Sequence, residues 1–287
     1  MTQVASIDDY KSIRISRLAP EERYSEYGAS RMALCGPKGR MARDYLLWER
    51  GLDPGVISDF RLGYVPMDMK DWHPFAGRIV MPVMDAYDNL LALSVRAIID
   101  GVEPKYWNES FEKSEHLYGL NIAKRWICRR GYAIIVEGQM DVMSMHGHGF
   151  CNTVGIMGGV MSHVHAQLLR RWAPVVVLLM DQDQAGQAHA ENAMRVIDSF
   201  SGNMSFPELS RRKAEEEAAA LGFKKVKVIK TISHVYDKFV GLVANLPRAA
   251  TKNDPAQYLK AQGSFGMRWV LRNAFIEAGM PVPEDLE

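Results

Sequence analysis

Residues 175–187 read VVVLLMDQDQAGQ. Six apolar residues run without a break into two aspartates one residue apart, and Ala185-Gly186 follow. An uninterrupted apolar run of this length is the signature of a strand buried on both faces, as in a parallel sheet covered by helices. Two like charges at its exit disfavour each other's ionisation unless a cation lies between them.

The surrounding sequence repeats that rhythm. YAIIVE is a short apolar strand, QMDVMSMHGHG a helix ending in glycines, and CNTVGIM a second strand followed by a GG turn. SHVHAQLLRRW reads as a helix with Ser162 as its N-cap. After VVVLLMD comes the helix QAGQAHAENAMRVIDSF, the polar helix RRKAEEEAAALGF and a further strand, KKVKVIK. Strands alternating with helices of this length predict βαβ units, so the fold class is α/β with a parallel sheet.

Upstream, residues 1 to about 40 are polar and read as irregular. RDYLLWERG predicts a helix with Gly51 as C-cap, and Asp53-Pro54 opens another over LDPGVISDF. RIVMPVMD and LLALSVRAII predict a hairpin turning at AYDN, and HLYGLNIAKRWI a helix. The segment from about 231 to 287 reads as mostly helical, with KNDPAQYL turning into a helix. These shifts divide the chain into a polar and basic extension (1–42), an α+β subdomain (43–128), the parallel-sheet domain (129–232) and a C-terminal helical segment (233–287).

Composition narrows the classes. The 287 residues are 47% hydrophobic and 24% charged, as in an ordinary globular chain. No apolar run approaches the roughly 20 residues of a membrane helix, and the N-terminus has no signal-peptide apolar core. A cytoplasmic location is expected. Cys35, Cys128 and Cys151 are too scattered for a disulfide framework or a zinc knuckle. Net charge is +1, but RMALCGPKGRMAR (31–43) carries four basic residues and no acid. Without the Walker spacing it reads as a basic loop.

Ligands of open parallel sheets bind beyond the carboxyl ends of the strands. Glu137 ends one predicted strand, with Asp141 one helical turn later; Asp181 ends another, with Asp183 two residues on. Taken singly, Asp141 reads as a first-turn acid and Asp183 as a cap. Taken together, they suit a hard divalent cation with oxygen ligands.

VEGQMDV followed by LLMDQDQAGQ resembles the Toprim domain, and the DxDxAG form resembles the bacterial DnaG-type primases. Further pieces occur in the same order: LLWERGLDPGVISDFRLGYVP, GRIVMPVMDAYDNLLALSVRAI, EPKYWNES, HLYGLNIAK and KNDPAQYL, over roughly residues 43 to 262. The resemblance implies a DNA-templated RNA polymerase that makes short primers. It implies catalytic roles for Glu137, Asp181 and Asp183, and Mg²⁺ or Mn²⁺ held by those three with Asp141 and Asp254. It implies contacts to nucleic acid or NTP from Arg96, Lys105, Tyr106, Asn108 and Lys113. Implied partners are single-stranded template, NTPs and RNA primer, with a replicative helicase and a separate zinc-binding recognition protein; no membrane and no zinc in this chain are expected.

The sequence departs from the family in three places. Ala256 stands where a carboxylate is usual, the zinc ribbon and helicase-binding regions are not recognisable, and 231–251 looks like an insertion. The chain thus looks like a stand-alone core of a phage or plasmid kind. Two other functions stay open: a Toprim nuclease or topoisomerase-like enzyme using the same acids, and a non-catalytic single-strand-binding replisome module. HGHGFC lacks an evident fourth ligand for zinc, and His163 and His165 read as ordinary surface residues.

Overall fold

The computed structural model describes residues 20–68, 75–158, 160–200, 239–247 and 254–287. Two four-stranded sheets dominate it. The first is antiparallel, in the order β1 (Gly63–Val65), β2 (Arg78–Met84), β3 (Leu90–Ala97), β4 (Tyr106–Asn108). The β2–β3 hairpin turns where the sequence placed it. Asp85 closes the turn by accepting the backbone N–H groups of Tyr87 and Asn89 at 2.7 and 2.9 Å.

Every residue of β2 is buried, including Pro82. Ile79, Met81 and Val83 face one core cluster, while Val80 joins a second with Val65, Phe75, Leu93 and Val95. β1 begins at Gly63 opposite Val80, so the ladder on that side is already open at Pro82, where a residue without N–H is tolerated.

The second cluster is covered by α1 (Pro20–Cys35), which corrects the expectation that residues 1–40 are irregular. Tyr27 is buried among the β-residues and its hydroxyl donates to the Arg61 carbonyl. Gly63 lets α1 come this near: a Cβ there would lie 2.2 Å from Ser30 Oγ. Helix α2 (Arg40–Asp44) passes into a widened π-type turn over Tyr45–Glu49, then α3 (Pro54–Asp59), capped by Asp53.

Helix α4 (Leu120–Arg130) leads into the second sheet. Its strands, all parallel, lie in the order β6 (Thr153–Gly155), β5 (Tyr132–Val136), β7 (Val175–Leu178), β8 (Val240–Val243). Helix α5 (Gln139–Gly147) follows β5, α6 (His163–Arg170) follows β6, and α7 (Gln184–Asp198) follows β7. The predicted strand KKVKVIK and helix RRKAEEEAAALGF lie outside the described residues. Within them, Val240–Val243 is a strand in a segment the sequence suggested was helical. It is only four residues long and half-exposed, so it left too short an apolar trace.

Alternate residues of the sheet face opposite cores. Tyr132, Ile134, Val136, Val175 and Val177 pack with α5 and with α8 (Pro255–Glu277). Ala133, Ile135, Val176 and Leu178 pack with α4, α6 and α7. Burial on both faces is why these strands read as continuous apolar runs. Helix α8 turns at Gly263, whose φ is 66°.

Candidate metal and nucleotide site

β5 is followed by a connection to β6 on one side, while β7 lies on its other side. This reversal of strand order opens a crevice beyond the carboxyl ends of β5 and β7. The register pairs Ile135 with Leu178, so Glu137 and Asp181 leave the sheet side by side. Glu137 Oε1 accepts the Asp181 backbone N–H at 3.3 Å. Its other oxygen lies 3.0 Å from His189 Nδ1 on α7.

Gly186 fixes how closely α7 follows Asp181. A Cβ at 186 would lie 2.0 Å from the Asp181 carbonyl oxygen. Asp183 caps α7, accepting the Gly186 N–H at 2.8 Å. Asp254 does the same for α8, accepting the Gln257 N–H at 2.7 Å. Asp141 lies in the first turn of α5 and accepts the Ala256 N–H at 3.3 Å. Residue 256 therefore faces Asp141 with its amide, not with a carboxylate.

These acids feel one another. Burial, followed by repulsion from Asp141, Glu137, Asp254 and Asp183, pushes the Asp181 carboxyl up to about 7. Burial and then Asp254 push Asp141 up to about 6, against the opposing pull of the Ala256 amide and Arg50. Asp181 Oδ1 is buried with no hydrogen-bond donor. An oxygen without a donor, in a ring of mutually repelling carboxylates, fits a hard divalent cation. Among the described residues no three His, Cys, Asp or Glu side chains converge at full ligand distance. Mg²⁺ keeps several waters and needs only one or two carboxylates directly, so a loose acid ring suits it.

A basic wall stands opposite. Arg96 on β3 is only 6% exposed, its Nε donating to Tyr45 Oη at 2.8 Å. Its guanidinium carbon lies 4.7 Å from the centre of the Tyr106 ring. Burial and then Arg50 pull its pKa below the usual arginine value, while Tyr45 and Asp141 act to raise it. Lys105 is exposed beside Tyr106, and Asn108 ends β4 half-buried. Lys113 lies in a short turn, and neither Lys105 nor Lys113 is ion-paired among the described residues. Ser94 Oγ donates to Gln139 Oε1 at 2.9 Å, tying the wall to the start of α5.

The five acids and the Arg96–Tyr106 pair are thus brought to one crevice, with Asn108 on the same strand. Lys113 belongs to the rim. One histidine differs from expectation, and a second adds to the site. His165 is 1% exposed, not a surface residue: its N–H and Ser162 form a capping box, and its Nε2 lies 2.9 Å from the Lys113 carbonyl. It fastens the turn that carries Lys113. A lone histidine in a polar helix carries no signal in the sequence; the fold sets His189, on α7 after the Asp183 cap, beside Glu137.

Comparison with known proteins agrees with this fold. Residues 131–204 match the model of the Toprim domain, and residues 68–124 match that of the DNA primase catalytic core, N-terminal domain. The solved structure of the DnaG primase catalytic domain bound to ssDNA superposes with a TM-score of 0.66 at 20% identity, covering 91% of this chain and 81% of that one. The fold is that of a DnaG catalytic core. The *Aquifex aeolicus* primase, with its zinc-binding and RNA polymerase domains, also gives a TM-score of 0.66, at 22% identity, covering 90% of this chain and 62% of that one. A DNA primase of *Deinococcus radiodurans* is 34% identical over 180 residues, which is 50% of this chain and 31% of that protein. One of *Clostridium acetobutylicum* is 38% identical over 179 residues, 51% of this chain and 30% of the relative. The chain spans about a third of the length of the curated relatives it matches. Among the described residues no helix is long and apolar enough to cross a membrane.

Proposed function

We propose that this chain is the catalytic core of a DNA primase, joining ribonucleotides into short primers on single-stranded DNA. The observation that supports this best is the pairing of two opposite surfaces across one crevice. Glu137, Asp141, Asp181, Asp183 and Asp254 form the acidic side, and Arg96, Tyr106, Asn108 and the nearby lysines the basic side.

Primer extension joins the 3′-hydroxyl oxygen to the α-phosphorus of an NTP; the bond to the β-phosphate oxygen breaks and pyrophosphate leaves. A bound Mg²⁺ or Mn²⁺ would stabilise charge on the attacking and leaving oxygens. Glu137, held at both oxygens, is the rigid member of the set; Asp181 presents its unpartnered Oδ1. Asp183 gives one oxygen to a helix cap and keeps the other for the cation, whereas Asp254 accepts from Gln257 at both oxygens, the backbone N–H at 2.7 Å and Nε2 at 2.9 Å, and would lie farther from the ion. Arg96, fixed by Tyr45 and Tyr106, sets a positive charge at the crevice floor, where phosphates approach. Lys105 and Lys113 extend it along the backbone path, and Tyr106 offers a ring edge for a base.

Incubation with single-stranded template, the four NTPs and Mg²⁺ or Mn²⁺ tests this reading. Complementary oligoribonucleotides are expected, and Asp181→Ala abolishes them while leaving the circular dichroism spectrum unchanged. Cleavage of labelled DNA in their place would make the chain a Toprim nuclease. Binding with neither reaction would make it a non-catalytic module.

A further inference from the structure

Helix α4 carries a second basic surface, away from the crevice. Its sequence, LNIAKRWICRR, has four basic residues, Lys124, Arg125, Arg129 and Arg130, around one tryptophan, and no acid. Leu120, Ala123 and Ile127 turn inward to the core, leaving Lys124, Arg125 and Arg129 toward solvent. The guanidinium carbons of Arg125, Arg129 and Arg130 lie 5.6, 5.8 and 5.5 Å from the Trp126 ring. Lys124 Nζ is 5.7 Å from the ring of Tyr87, which is 77% exposed at the tip of the β2–β3 turn.

The ordinary structural roles cover only part of this surface. Arg130 is engaged with Asp285 at 3.1 Å and with Asn152 at 2.6 Å. Lys124 donates to the Ala86 carbonyl at 2.6 Å. A cation in the last turn of a helix is favoured by the dipole, which accounts for Arg129. That effect does not reach Arg125, half-way along α4. Neither Arg125 nor Arg129 has a carboxylate within 4.0 Å among the described residues. The acids of the adjoining turn are already engaged: Asp85 in closing it, Asp88 with Arg61 at 2.9 Å and Asn121 at 2.9 Å.

We propose that the Tyr87–Lys124–Arg125–Trp126–Arg129 surface is a second contact for single-stranded nucleic acid, outside the catalytic crevice. Unpaired guanidiniums suit phosphates, and the two aromatic faces suit unstacked bases; this combination is how single strands are held without regard to sequence. An acidic protein would satisfy the charges but would leave the aromatic faces without a role. The choice of nucleic acid as partner rests on the primase reading above.

The test is anisotropy of a labelled single-stranded 25-mer titrated with the full chain over a range of salt, comparing wild type with Arg125→Gln/Arg129→Gln. The double variant changes only exposed side chains; Arg125→Glu/Arg129→Glu gives a second, stronger comparison. Affinity is expected to fall several-fold, and the slope of log K against log salt to shrink by about 1.4, the amount for two phosphates on a single strand. Unchanged affinity and slope in both variants overturn the proposal, including the case in which polyglutamate binds wild type and not the variants, which would assign the face to an acidic protein. Primer synthesis by wild type is scored separately. Its absence contradicts the catalytic reading, whereas DNA binding unaltered by the substitutions contradicts this surface alone.

Discussion

Asp181 is the residue on which the site turns, because burial, and then four other carboxylates, raise the cost of its charge. The native state holds its proton up to about pH 7, whereas an unfolded aspartate releases it near 4. The native state therefore binds more protons in that window, and stability falls as pH rises from about 4 through about 7. At pH 8 in EDTA, Asp181→Asn is expected to be more stable than wild type, by about 1–2 kcal/mol. Added Mg²⁺ should raise the melting temperature of wild type more than that of the variant, because the native state of wild type binds the ion more tightly. Thermal scans with and without Mg²⁺ check both; a less stable variant in EDTA would contradict the repulsion.

His146 gives the opposite sign. Burial holds its pKa down at about 4, and its Nε2 meets the Thr153 carbonyl at 2.9 Å while its ring meets Phe60 edge-on. A histidine kept neutral in the native state supports stability fully above about 6.5, and that support is lost as pH falls toward 4. Urea unfolding at pH 7.5 and at pH 4.5 should show the gap between wild type and His146→Gln narrowing by about 3 kcal/mol. A constant gap would mean that the ring is not held neutral.

At the scale of single elements, the turn from β7 into α7 is set by Gly186 as much as by the aspartates around it. Gly186→Ala places a Cβ against the Asp181 carbonyl and must push the helix or the strand end aside. Synthesis should fall by roughly ten-fold or more, with about 1–3 kcal/mol of stability, though no charge is altered. Assay of primer yield beside urea unfolding checks it; full activity would mean that α7 is free to move without shifting Asp181.

The elements that were legible in the sequence were those with two covered faces or a clear cap. YAIIV and VVVL are uninterrupted because helices cover both sides, and Asp53, Ser162, Asp183 and Asp254 all cap the helices they precede. The acidic residues were found for the same reason: they stand where apolar runs stop. What stayed hidden depends on distant partners. Tyr27 gives little sign in sequence that it covers a sheet, four half-exposed residues do not announce β8, and nothing near Arg96 foretells its burial against Tyr45. His165 looks exposed until the turn at 113–116 is seen lying over it.

Across the whole molecule, the two sheets share one apolar core. A single buried cluster joins Leu46, Phe60 and Met81 of the N-terminal part to Ile134 and Val177 of the parallel sheet and to Leu271 of α8. Tyr118 bridges to Gly155 and Ser94 bonds Gln139 across the same boundary. The described residues should therefore unfold as one unit, with tryptophan fluorescence and far-ultraviolet dichroism changing together. Two separated transitions would mean that the acidic edge and the basic wall are held apart by a hinge, and that the crevice between them is not preformed.

A divalent cation at the ends of β5 and β7 is the centre of the proposed reaction. Its most direct test is titration of Mn²⁺ with metal-free protein at pH 8, following the disappearance of the free-ion paramagnetic resonance signal. Wild type is predicted to bind Mn²⁺, and Asp181→Asn to bind it more weakly by roughly ten-fold or more. Identical isotherms for the two proteins would contradict the assignment of Asp181 to the cation.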